Sequence, residues 1–132
     1  MKVGILPCQG TCNVGNMTHK VALKLVDDEK INTVCSLGLL LVIPNIVAQA
    51  KINDAFTALN GCPLRCSSLA LEKIGIKNYH ELILTKDFGV EKNKNYHDES
   101  KMDEVEARVK RIIKIYTDNR QVQQKWNGGL AP

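Results

Sequence analysis

Aromatic residues are scarce in this chain of 132 residues: two Phe, three Tyr and one Trp, 5% of the total. Proteins that hold single-stranded nucleic acid stack bases on aromatic side chains inside a basic groove, and neither feature is written here. The net charge is only +4, and Lys and Arg alternate with Asp and Glu, most densely from Lys86 to Arg111. That mixture reads as a solvated surface and excludes nucleic acid as the expected partner. Long apolar runs are missing as well. The longest, Leu37 to Ile43, contains a glycine and falls well short of the roughly 20 residues that cross a bilayer, so no membrane partner is expected. No secretory leader is legible either, because Met1-Lys2 runs straight into Val3-Gly4-Ile5-Leu6. The expected compartment is the cytoplasm.

What is present is ordinary for a globular protein: 44% apolar and 24% charged residues. The length suits one domain, expected over residues 1–118, with a polar tail over 119–132 that carries Gly128-Gly129. Against this background, five cysteines are conspicuous. Cytoplasmic thiols stay reduced, so cysteines in a small chain point to metal or catalysis before structural disulfides. An odd number also cannot pair off.

Four short segments read as strands buried on both faces: Lys2–Leu6, Ile31–Cys35, Ala55–Leu59 and Glu81–Thr85. Helices fit between them. Met17, Val21, Ala22, Leu25 and Val26 recur at helical spacing and predict a helix from Gly15 to Asp28. Pro44 opens a short helix through Ala50, and Pro63 opens another that Gly75 ends. A fourth, Ser100 to Asp118, repeats Met102, Val105, Val109, Ile112 and Tyr116 on one face. Gly89–His97 reads as loop. Strand–helix alternation implies an α/β three-layer sandwich around a small parallel sheet, in the order 2-1-3-4, with an added C-terminal amphipathic helix.

The cysteines share one position in that scheme. Cys8 follows the first strand, Cys35 ends the second and Cys62 follows the third. All lie at strand carboxyl ends, where open α/β sheets place ligands. Cys8-x-x-x-Cys12 and Cys62-x-x-x-Cys66 therefore converge, with neighbouring strands about 4.8 Å apart. Helix N-termini favour thiolate over thiol, which makes Cys8 and Cys62 candidate low-pKa cysteines. Cys62 and Cys66 are expected one turn apart on one helical face. Two pairs supply four sulfurs, the set zinc takes in a tetrahedron, with Cys35 as a further thiol. An iron–sulfur cluster uses the same ligands, a thiol oxidoreductase would use one of these cysteines as its nucleophile, and buried cysteines also serve as plain small hydrophobes. The loop Cys8–Gly15 resembles an anion cradle, so a small anion is a second candidate ligand. It lacks the Gly-Lys-Ser/Thr of nucleotide-binding loops. Arg65 comes too soon after Cys62 to clamp a phosphate in the manner of a cysteine phosphatase. His19, His80 and His97 stand without a partner at ligand spacing, and Asp87 reads as a solvated carboxylate.

Cys8-x-x-x-Cys12, Cys35 and Gly61-Cys62-Pro63-x-x-Cys66, followed by Leu71-Glu72-Lys73 and Gly75, resemble the DGC-domain family over about Val3 to Lys94. The resemblance implies a zinc-binding protein with Cys8, Cys12, Cys62 and Cys66 as ligands and Cys35 as a further site cysteine. The Asp-Gly-Cys triplet for which the family is named reads Asn60-Gly61-Cys62 here. Asn holds a turn by hydrogen bonding as Asp does, but it neither acts as a base nor adds charge beside the thiolates.

Overall fold

A computed structural model describes residues 2–28 and 30–118; the polar tail expected from Asn119 onward lies outside the described residues. The strands β1 (Val3–Pro7), β2 (Ile31–Thr33), β3 (Ala55–Asn60) and β4 (Tyr79–Ile83) form one parallel sheet. Their order is β2-β1-β3-β4, as expected. Among the described residues, six helices join and follow them: α1 (Asn13–Leu25), α2 (Ser36–Leu40), α3 (Pro44–Lys51), α4 (Cys66–Lys73), α5 (Leu84–Asp87) and α6 (Met102–Asp118).

The pleat divides the strands' side chains between two apolar layers. Val3, Ile5 and Leu59 face α1 and α6, where Met17, Val21, Val105 and Val109 complete one cluster. Leu6, Phe56 and Ala58 face the other way, against Leu39, Ala50, Ala70 and Leu71. Both central strands are buried at every position, as parallel strands covered on two faces must be. Along α6 the buried set is Met102, Val105, Val109, Ile112 and Ile113, with Tyr116 partly buried, so the helical stripe read from sequence is the face that covers the sheet.

Several boundaries differ from the sequence reading. The second strand ends at Thr33, and Cys35, expected as its last residue, is instead the N-cap of α2. The third crossover helix starts at Cys66 rather than Pro63, because Arg65 takes a left-handed backbone (φ 56°, ψ 42°) that no α-helix continues. The first helix starts two residues earlier than its apolar pattern suggested, at Asn13, and ends three earlier, at Leu25. β4 begins at Tyr79, pairing with Phe56. It ends at Ile83, whose amide donates to the Asp87 carboxylate at 2.8 Å and turns the chain into α5.

Helices α2 and α4 close in the same way. After α4, Gly75 (φ 82°) donates to the Glu72 carbonyl and Ile76 to that of Leu71, a Schellman stop. After α2, Val42 donates to Leu39 and Ile43 to Gly38. There the left-handed residue is Val42, at φ 56°.

Candidate functional site

Pro7 and Leu59 are register partners at the ends of β1 and β3, so the two chains leave the sheet side by side at its carboxyl edge. The Cys8 amide donates to the Leu59 carbonyl at 2.9 Å and carries the ladder one step further. The chain then folds back through Gly10, whose carbonyl accepts from the Cys12 amide at 3.1 Å. Cys12 is the N-cap of α1: its sulfur accepts from the Gly15 amide at 3.4 Å. The first turn of α1 is pressed onto this loop so closely that a Cβ on Gly15 would lie 2.4 Å from the Gly10 carbonyl oxygen. Thr18 pins the same loop from the next turn, its hydroxyl donating to the carbonyls of Cys8 and Gly15.

Cys35 caps α2, its sulfur accepting from the Gly38 amide at 3.5 Å. Cys62 follows β3 and is 7% exposed. The turn after it closes through an Arg65 amide to Cys62 carbonyl bond of 3.1 Å, so Cys62 and Cys66 do not share a helical face. Cys66 is the first residue of α4 and is exposed, as is Cys35. The five thiols are all free.

The two motifs are thus reshuffled in space. Cys8, Cys35 and Cys66 line one cavity of about 410 Å3, with Leu37 and Leu40 on its wall. Cys12 and Cys62 join the apolar cluster between the sheet and α1/α6. Cys12 also borders a second cavity, of about 290 Å3, beside Asn16 and Tyr96. Cys8 links the groups electrostatically. Burial pushes its thiol pKa up; the amides of Gly10 and Gly61, directed at its sulfur, pull it down less strongly, and charge on Cys66 or Cys12 raises it again. Burial thus works against the activated thiolate that the place of Cys8 near a helix N-terminus suggested. Within the Cys8–Gly15 loop, the Gly10 amide faces the Cys8 sulfur and the Gly15 amide the Cys12 sulfur.

Three features support the site, of which only the hydrogen-bonding role of Asn60 was read in sequence. The first is Lys92, in the irregular segment before α6, whose ammonium donates to the Cys62 sulfur at 3.6 Å. That segment is strapped across the site by Asn13, fully buried, which donates to the Glu91 carbonyl and accepts from the Asn93 amide, both at 2.7 Å. Asn16 adds a bond to the Tyr96 carbonyl at 2.6 Å. An Asn beside the N-cap of a helix is the one local signal of such a strap; its partners lie about 80 residues away. The second is Asn60, whose carboxamide oxygen accepts from the Ser67 and Ser68 amides at 3.0 and 3.2 Å and caps the N-terminal end of α4. The third is Arg65, tied to Glu81 and, at 3.5 Å, to Glu72. It braces the turn between Cys62 and Cys66.

The histidines stay apart from the thiols. His19 bonds Gln9 at 3.1 Å, and His80 and His97 are exposed. Asp87 caps Ile83. Among the described residues, no three His, Cys, Asp or Glu side chains are disposed to hold a metal ion, and no helix is long and apolar enough to cross a membrane.

Compared with known proteins, the chain matches the DGC domain over residues 4–112. The match runs well into α6, so the last helix is not an extension beyond Lys94 but largely part of the matched region. No curated protein and no solved structure matches the chain significantly.

Proposed function

The chain belongs to the DGC-domain family, and on that footing we propose that it is a cysteine-rich metal-binding protein that holds one zinc ion. Cys8, Cys12, Cys62 and Cys66 would be its ligands, and Cys35 a further site cysteine on the rim. The observation that carries the reading is the gathering of every cysteine at the carboxyl edge of one sheet, with Cys8 near enough to Cys12 and Cys66 to feel their charge. The donor chemistry fits: zinc takes four thiolates at about 2.3 Å. The resting positions are not a preformed cage, so binding has to draw the sulfurs together by side-chain rotation. Cys66 is exposed, while the Cys8, Cys12 and Cys35 sulfurs each face backbone amides. A bound zinc would supply the positive charge that lets buried thiols ionise. Five free thiols require a reducing compartment, which the cytoplasm provides.

Cobalt(II) titration of the reduced protein tests this. Sulfur-to-cobalt charge transfer together with tetrahedral ligand-field bands, saturating near one equivalent and erased by zinc, is the expected result. An iron–sulfur cluster, which uses the same ligands, would announce itself instead by brown colour on anaerobic purification.

The Lys92–Cys62 contact favours a second reading, an enzyme acting through a thiol nucleophile. A cation beside a sulfur stabilises the thiolate that attacks. Iodoacetamide mapping separates the two: one thiol, Cys62, labelled far ahead of the others in metal-free protein supports the nucleophile, and uniform slow labelling opposes it.

A further inference from the structure

The sheet's other end carries a separate cavity, of about 420 Å3, where β1 and β2 begin and α1 and α6 end. Its floor is apolar: Leu25, Ile31 and Ile113 lie there, 4–8% exposed and all members of the α1/α6 core cluster. Its rim is basic. Lys24, Lys30, Lys110 and Lys114 surround it, each exposed. Carboxylates stand among them. Glu106 pairs with Lys110 at 3.2 Å and Lys24 at 4.0 Å, and Asp28 turns its oxygen to the Lys30 backbone amide at 2.9 Å. Among the described residues, the ammonium groups of Lys30 and Lys114 form no ion pair.

We propose that this cavity binds a small amphipathic anion: a monocarboxylate, or a phosphate monoester, carrying an aliphatic chain. The volume falls within the roughly 300–1,000 Å3 of small-molecule sites, which are apolar with a few convergent polar groups. The chain of such a ligand lies over Ile31 and Ile113, and its head meets Lys30 and Lys114, whose methylene stems extend the apolar wall. Neither a neutral nor a cationic amphiphile satisfies both halves. The site is remote from the thiols and does not depend on the metal reading.

Decanoate below its micelle concentration is the probe, titrated into the full chain and followed by calorimetry and amide chemical shifts. Shifts at Leu25, Ile31, Ile113 and Lys114 are expected, with binding at least about tenfold weaker for decyltrimethylammonium and for Lys30→Glu/Lys114→Glu. Both substituted positions are exposed, so the variant keeps the wild-type melting temperature and metal content. Equal binding of the cationic amphiphile, unchanged affinity in the variant, shifts elsewhere, or no decanoate binding overturns the proposal. So does attachment to anionic vesicles without binding of monomeric decanoate, which would make the lysines a membrane surface.

Discussion

Asn60 and Ser68 bond to each other twice: the Asn60 carboxamide oxygen accepts from the Ser68 amide at 3.2 Å, and its nitrogen donates to the Ser68 hydroxyl at 2.8 Å. Both residues are fully buried, and the Ser68 hydroxyl passes the chain on to Glu81 at 2.7 Å. The position read as the family's altered acid is thus the cap that fixes where α4, and with it Cys66, begins. Asn60→Ala leaves two helix amides without an acceptor and is expected to cost about 1–3 kcal/mol. Asn60→Asp keeps the acceptor beside a helix N-terminus and should lose much less. Urea midpoints of the two variants at pH 7 check the ranking; equal losses would remove the capping role.

The close approach of Gly15 to the Cys8–Cys12 loop makes a second prediction. In Gly15→Ala the new methyl group meets backbone, not a flexible side chain, so the loop itself must move. A loss of about 1–3 kcal/mol is expected, together with weaker cobalt and zinc binding, because the displaced segment carries two of the proposed ligands. Gly10→Ala, whose Cβ meets only the Cys8 sulfur at 3.4 Å, should be milder.

Val42 offers the opposite sign. A β-branched residue in the left-handed region is strained by about 1–2 kcal/mol, part of which glycine's greater chain entropy cancels. Val42→Gly is expected to stabilise the protein by about 0.5–1 kcal/mol, read as a higher thermal midpoint. Gly75→Val, at the matching position after α4, should destabilise it.

Glu81 makes the acid limb of stability sensitive to the Arg65 brace. Burial pushes its carboxyl up, but the Ser68 hydroxyl and the Arg65 guanidinium outweigh burial and hold it below its ordinary value of 4.5. A carboxylate lowered in the folded state contributes stability above its unfolded pKa and loses it as pH falls through the folded one. Stability should therefore decline as pH drops below about 4.5. Glu81→Gln should be weaker at pH 7 and flatter across that range. Denaturation midpoints from pH 3 to 7 for both proteins decide it; parallel curves would contradict the assignment.

Much of this was legible in the sequence where periodicity or chain order carries the information. Short apolar runs alternating with helical stripes specify the parallel sheet and its order, and the α6 stripe specifies its buried face. The gathering of Cys8, Cys35 and Cys62 at one edge follows from topology alone. What was not legible depends on single dihedrals and on contacts distant in sequence. Nothing in Cys62-Pro63-Leu64-Arg65-Cys66 announces that Arg65 turns left-handed, and that one residue sends Cys62 inward and Cys66 outward. Lys92 reaches Cys62 only because Asn13 ties down a segment far along the chain. Burial decided the Cys8 thiol against the helix-end argument, since desolvation there exceeds what the Gly10 and Gly61 amides return.

The central claim is that these thiols hold one metal ion. The direct measurement is elemental analysis of anaerobically purified full-length protein, alongside Cys8→Ser, Cys12→Ser, Cys62→Ser and Cys66→Ser. The account predicts close to one zinc per chain in the wild type, with metal content and thermal midpoint reduced together in each variant, because binding to the folded state is folding energy. Metal-free wild type that stays metal-free when zinc is added, with its midpoint unmoved, would contradict it.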